Sequence, residues 1–374
     1  MRFAEIPGLD DVKERLIGAI RNNHVAHAQL FLSKSGGVNL PLALAYTSFL
    51  NCEQPADNDS CGTCPSCSKN DKFVHPDVHF VFPVSSTKNI TGKDVVSTNF
   101  LTDWRKFLIE NPFRSVSDWA NTYGGENKQV NISKEESRQI IKQLSLKAFD
   151  GKYKVMIIWL PEYMNSSAAN GILKILEEPP EGTVFLLVCN DDEKLLTTIL
   201  SRTQIVKIRP MADQEVSDLL IHKYEIEESK ATQIAYLANG DVNDAFVLMD
   251  SDEGEIHSLF KEWMRMCFKR DLGAMVLKAE DFHKMSKIDQ RKLLQYGIST
   301  MREALITNLE VPEVVKVSGE EKQFVENFGK VLDTDKVTDI TNLLSESLYH
   351  LERNASPKIT FLDLSLRIAK RLMK

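Results

Sequence analysis

"YKVMIIWLPEYMNSSAANGILKILEEPPEGTVFLLVC", residues 153–189, is the stretch on which the fold turns. It opens on "YKVMIIWL" (153–160), a β-branched and apolar run of the kind buried on both faces of a parallel sheet. "NSSAANGILKILEE" (165–178) then has helical spacing, with Asn165 placed as an N-cap and Pro179-Pro180 as a stop. "TVFLLVC" (183–189) is a second buried strand. A strand, a helix and another strand in so short a span predict a βαβ unit. Working outward, "QLFL" (29–32) reads as a further strand, "TQIVKI" (203–208) as a third buried one, and "LPLALAYTSFL" (40–50) as a helix. "DDVKERLIGAI" (10–20) sets Val12, Leu16, Ile17 and Ile20 on one helical face. Strands alternating with helices at this spacing predict a doubly wound α/β domain over residues 1–209.

Beyond Pro210 the pattern changes. "DQEVSDLLIHKY", "ESKATQIAYLA" and "VNDAFVLM" are short helices with a break at Gly240, which predict a small helical domain over 210–254. From 255 to 374 long amphipathic helices dominate, as in "KIDQRKLLQYGISTMREALITNL" and "FLDLSLRIAKRLMK", and an all-α bundle is expected there. Residues 84–128 interrupt the first domain as an insertion. They carry Trp104, Phe107, Leu108, Phe113 and Trp119 in two short helical pieces. Such a segment either packs on its own domain or offers a docking surface.

The 374 residues carry a formal charge of −7, which argues against strong nucleic-acid binding by the chain alone. No apolar run approaches the roughly 20 residues that span a bilayer. The start, "MRFAEIPGLDDVKERL", lacks a signal-peptide pattern, so a cytoplasmic location is expected. Of six cysteines, Cys52, Cys61, Cys64 and Cys67 crowd into a C-x8-C-x2-C-x2-C pattern. Four thiolates close a tetrahedral site for structural Zn²⁺ and leave no open position for catalysis. Gly62 and Pro65 suit the tight turns between these ligands. Cys189 and Cys267 fall in apolar segments and read as core residues. His75 and His79 lie nearby, where four sulfurs would already saturate the metal.

The turn after "HAQLFL" contains Gly36 and Gly37 and has the outline of a phosphate-binding loop without its chemistry. In G-x-x-x-x-G-K-[ST] the glycines let backbone N–H groups wrap the phosphates, the lysine reaches the β- and γ-phosphates, and the hydroxyl holds Mg²⁺. Here the glycine positions are Ser33 and Val38, the lysine position is Asn39 and the hydroxyl position is Leu40.

Taken in order, "FAEIPGLDDVKERLIGAIRNNHVAHAQLF", this loop, the cysteine module, "AANGILKILEEPPEGTVFLLV" and "TTILSRT" resemble the bacterial clamp-loader subunits of DNA polymerase III, in the AAA+ superfamily. The resemblance covers about the first 210 residues well, continues more weakly through the small helical domain, and reaches the C-terminal collar by position only. It implies an AAA+-like domain, a helical lid and a collar that assembles with other subunits. It also places the family's metal-binding and catalytic carboxylates at Trp159 and Leu160, and its γ-phosphate-sensing arginine at Asn243. Glu162 is two residues too far along to replace the catalytic carboxylate, and Asn190 falls near the sensor position at the end of a strand. With all these groups replaced, neither ATP binding nor intrinsic ATPase activity is expected.

What survives is Arg202 in "LSRT". In the family the corresponding arginine enters the ATP site of a neighbouring subunit, where an arginine supplied in trans stabilises charge on the transferred phosphoryl group. Thr203 stands where the family has cysteine. Zinc module and arginine finger without ATP chemistry look like the delta-prime type of subunit; a divergent gamma-type ATPase is the alternative. The partners so implied are gamma/tau ATPase subunits, a delta subunit, the sliding clamp and primer–template DNA, with no membrane.

Overall fold

The computed structural model describes residues 1–33, 37–125, 128–145, 149–238, 240–249, 253–308, 324, 328–329 and 332–372. Gly36, and residues 126 and 127 of the insertion, lie outside them. The described chain falls into two compact units, Met1–Ala245 and Phe246–Lys374.

The first unit is built on five strands, β1 (Ala28–Leu32), β2 (Val78–Val81), β3 (Lys154–Trp159), β4 (Thr183–Cys189) and β5 (Gln204–Lys207). They form one all-parallel sheet in the order β2-β3-β4-β1-β5. The α/β class and parallel sheet expected from residues 153–189 are borne out. β2, "VHFV", is the strand that sequence reading missed: it is short, polar at His79, and buried only toward its C-terminal end.

Alternation along the strands sorts the two faces, because successive side chains point to opposite sides. Leu30, Met156, Ile158, Phe185 and Leu187 pack with Ile140 and Leu144 of α6 (Lys134–Leu144) and with Ile172 and Leu176 of α7 (Ser166–Glu177). The opposite face carries α2 (Asn39–Leu50), whose Tyr46 ring lies 5.9 Å from that of Phe31. Every residue of α2 is buried. α1 (Asp10–Arg21) packs beside α2. The central strands β1, β3 and β4 are therefore covered on both sides, as unbroken apolar strands require, whereas β5, expected as a buried strand, is an edge that exposes Gln204, Ile205 and Lys207. Asn165 caps α7 through a 2.8 Å bond from the Ala168 N–H, and the helix stops before Pro179.

The insertion supplies α4 (Leu101–Glu110) and α5 (Val116–Thr122); Trp104, Phe107, Leu108, Phe113 and Trp119 are all buried. Of the two alternatives, packing on its own domain is what these side chains do. The cysteine module precedes it and ends in α3 (Pro65–Asp71). After β4 comes the one-turn α8 (Thr197–Leu200), and after β5 the helices α9 (Asp213–Tyr224) and α10 (Glu228–Ala238). α11 (Val242–Met249) spans the division between the units.

The second unit is all helical among its described residues: α12 (Glu253–Lys269), α13 (Leu272–Lys284), α14 (Lys287–Asn308), α15 (Thr334–Glu352) and α16 (Pro357–Arg371). Its core centres on Trp263, Phe260, Phe282 and Phe361, with the Trp263 and Phe361 rings stacked at 4.5 Å. Cys267 is fully buried in this core, in keeping with its reading as a core residue. No helix among the described residues is long and apolar enough to cross a membrane.

Candidate functional site

Parallel α/β sheets place their ligand sites at the carboxyl ends of the strands. Here that rim is occupied by the protein itself. Asn39 opens α2 at 3% exposure, flanked by Val38 and Leu40 at 1% and 2%. Its amide donates to the Cys189 carbonyl at 3.0 Å and to Asn190 Oδ1 at 2.8 Å, while its Oδ1 accepts the Leu40 N–H at 3.0 Å. An amide of this size spans the gap between the start of α2 and the end of β4. The Ser33 N–H also bonds the Cys189 carbonyl, at 3.1 Å.

Gly37 lies close against two neighbouring segments. Its φ is +99°, a region that favours glycine. A Cβ there would lie 3.0 Å from the Phe113 carbonyl oxygen, 3.0 Å from Val242 Cβ and 3.4 Å from the Asn243 nitrogen. The insertion and the start of α11 thus rest directly on Gly37. Phe113 is itself covered by Lys223, whose ammonium lies 4.9 Å from the ring centroid.

The two residues that the resemblance sets at the family's carboxylate positions are buried. Trp159, at the end of β3, lies 5.0 Å from Trp104 and 5.9 Å from Phe107, ring to ring. Trp104 stacks on Phe82 at 4.2 Å, and the Trp119 indole donates to the Pro83 carbonyl at 2.8 Å. Leu160 is buried in a left-handed conformation at φ 56°. Glu162 accepts the Asn190 N–H at 2.9 Å through Oε1, whereas its buried Oε2 has no hydrogen-bond partner among the described residues. Burial pushes its carboxyl up to about 7, against the pull of that N–H. Asn243 is half-buried at the start of α11, and its own N–H is bonded to Asp241 at 2.9 Å.

Arg202 follows α8 and is 31% exposed. Its Nε donates to Glu177 Oε2 at 2.9 Å, and its Nη1 to the Thr198 carbonyl at 3.1 Å and to Ser201 Oγ at 3.5 Å. Thr203 donates to the carbonyls of Ile199 and Leu200, both at 3.2 Å, and so closes the turn that carries the arginine. Glu177 went unremarked in the sequence; its signal was a carboxylate at the C-terminal end of a helix, where the dipole disfavours it.

A second candidate site lies in the cysteine module. The ligand atoms of Cys52, Cys61, Cys64 and Cys67 all fall within 4.8 Å of one another, and the Cys61 and Cys67 sulfurs are 3.9 Å apart. Thiolates about 2.3 Å from a tetrahedral metal sit roughly 3.8 Å apart, so the donor set fits such an ion. Backbone N–H groups point at the sulfurs: Cys61 to Cys52 at 3.3 Å, Cys64 to Cys61 at 3.3 Å and Cys67 to Cys64 at 3.4 Å. The N–H groups of Thr63 and Cys64 bring the Cys61 thiol down to about 6. Gly62 turns the chain at φ +73°, and Pro65 starts α3 with Cys64 as its cap. Asp59 ties the module to the N-terminal segment by accepting from the N–H groups of Phe3 and Ala4, at 3.1 and 2.9 Å. His75 is buried with Nδ1 accepting the Asp77 N–H at 3.2 Å, and neither it nor His79 joins the sulfur cluster.

Residues 8–212 match the family described as DNA polymerase III, delta subunit. Among curated relatives, the DNA polymerase III subunit delta' of Bacillus subtilis is 24% identical over 242 residues, which is 65% of this chain and 59% of that protein. The DNA polymerase III subunit tau/gamma of Haemophilus influenzae is 24% identical over 253 residues, 66% of this chain and 30% of that protein. The matched region thus spans well under two thirds of either relative. A solved gamma-subunit-related protein of Thermotoga maritima aligns over 97% of this chain at 16% identity, with a TM-score of 0.38.

Proposed function

The chain belongs to the DNA polymerase III delta-subunit family, and from that premise we propose that it is a non-catalytic, delta-prime-type subunit of a clamp loader. In this reading it assembles with gamma/tau and delta subunits and helps place the sliding clamp on primer–template DNA. The observation that carries the reading is the closed rim of the sheet. The amide of Asn39 is bonded to β4, the ring of Trp159 packs on Trp104, and the Phe113 carbonyl lies against Gly37, which supports a site without room for phosphate or metal. A site closed in this way leaves the chain one contribution to ATP chemistry, Arg202, delivered to a neighbour. A guanidinium suits that task because it is always charged and presents a planar set of donors. The Cys52, Cys61, Cys64 and Cys67 thiolates would hold structural Zn²⁺, which offsets half of their charge and orders the segment between α2 and α3.

Two measurements test this. Titration of the isolated chain with Mg-ATP is expected to give no binding heat; saturable binding favours the gamma-type reading instead. In the complex reconstituted with its ATPase partners, clamp and primed DNA, Arg202→Ala is expected to lower ATP turnover by about 10³-fold at the site it serves. Assembly should be unchanged. Wild-type turnover in that variant would make the chain a structural end-piece.

A further inference from the structure

The pairing of Arg202 with Glu177 assigns a task to a carboxylate outside the degenerate nucleotide site. We propose that Glu177 is a positioning residue that holds the Arg202 guanidinium with its Nη2 edge facing outward, ready for an anionic group on a neighbouring subunit. The proposal rests on the reading that Arg202 acts in trans.

A guanidinium has five N–H donors in a fixed plane. Glu177 Oε2 takes the Nε donor at 2.9 Å, and the Thr198 carbonyl takes one at Nη1 at 3.1 Å. Two bonds to two different atoms of one rigid plane fix its orientation. Both Nη2 protons are then left without a partner among the described residues, on a side chain still 31% exposed. With Nε and Nη1 engaged, the two Nη2 donors of a part-exposed group stay available to an anion from outside the chain.

Stability alone does not account for the placement of Glu177. It is the last residue of α7, where the helix dipole is negative and a carboxylate is unfavourable. It is also 57% exposed, and an ion pair so open to water contributes little to folding. What the pair does accomplish is to order a long side chain before a partner arrives. Interactions made with a pre-ordered group lose less entropy on forming.

The experiment compares Glu177→Ala, Glu177→Gln and Arg202→Ala in the complex reconstituted with its ATPase partners, clamp and primed DNA. Glu177→Ala is expected to lower kcat for ATP by about 3- to 10-fold, with KM for ATP and the assembled state unchanged. Glu177→Gln keeps an oxygen acceptor for the Nε–H and is expected to recover turnover to within about 2-fold of wild type. Wild-type or faster turnover in Glu177→Ala, alongside a large fall in Arg202→Ala, overturns the positioning role and leaves the arginine's role standing. No effect from Arg202→Ala overturns both. Failure of Glu177→Gln to recover turnover also counts against positioning by a hydrogen bond.

Discussion

Asn39 shows why one substitution would not return phosphate chemistry to the loop. Its amide is bonded on both sides, to Cys189 and Asn190 on β4 and to the Leu40 N–H on its own helix. In Asn39→Lys a buried ammonium would face two carbonyl oxygens, and Trp159 offers no carboxylate to neutralise it. That variant is expected to lose about 3 kcal/mol of stability, the scale of an uncompensated buried charge, and still to bind no Mg-ATP. Urea unfolding followed by circular dichroism and a nucleotide titration together check this; nucleotide binding restored by the single change would contradict it. The expectation that lysine, hydroxyl and carboxylates are replaced comes from the sequence alone, because each of those roles demands a particular side chain. That Asn39 and Asn190 replace them with a bond to each other was not legible, since 151 positions separate the two residues.

At the scale of elements, the cysteine module and the insertion differ in how openly the sequence declares them. Four thiols within 16 positions leave few alternatives to a metal, and the N–H groups aimed at their sulfurs are the local turns that Gly62 and Pro65 permit. Chelation is therefore expected to act locally first. Hydrogen exchange should speed up over residues 52–71 while β3 and β4 remain protected, and the chelated protein should melt at a lower temperature. Exchange unchanged by chelation would mean that the thiols hold the segment without a metal. The insertion announced apolar faces but not their destination. Its aromatic residues pack on Trp159 and Phe82, and its Phe113 backbone packs on Gly37, and both contacts depend on long-range topology. β2 escaped notice because a four-residue parallel edge strand carries too little pattern to stand apart from its flanking turns.

At the scale of the whole molecule, the N-terminal segment and the start of α9 are joined by one carboxylate. Glu215 accepts the Leu9 N–H at 2.9 Å and the Ala212 N–H at 2.7 Å, and takes Arg209 in a bidentate pair at 2.7 and 2.8 Å. Gly8 is required for this approach. Its φ is +61°, and a Cβ would come within 1.9 Å of Glu215 Oε1. The Arg209 pairing brings the Glu215 carboxyl down to about 2 from its usual 4.5. A carboxylate depressed in the folded state adds stability above its unfolded value and loses it as pH falls toward the folded one. Stability from this clasp should thus be complete above about pH 5 and fade between about pH 4.5 and 2. In Glu215→Gln the acid slope over that window should be shallower, and at pH 7 about 1–3 kcal/mol should be lost. Urea midpoints measured at a series of pH values decide this; identical acid slopes would remove Glu215 as the cause.

What the sequence determined by itself was everything carried by residue type at short range. Apolar runs gave the central strands, 3.6-residue spacing gave the helices, thiol spacing gave the candidate metal site, and the side chains at Ser33, Val38, Asn39 and Leu40 gave the expectation of a loop without phosphate chemistry. Tertiary structure alone decided what packs at the carboxyl end of the sheet and which groups hold Arg202. Both are settled by pairs far apart in the chain: Asn39 with Asn190, Trp104 with Trp159, Gly37 with Val242, Glu177 with Arg202. Hydrogen bonds and ring contacts act only over a few ångströms. No local pattern specifies such pairs until the strand order β2-β3-β4-β1-β5 has set their elements side by side.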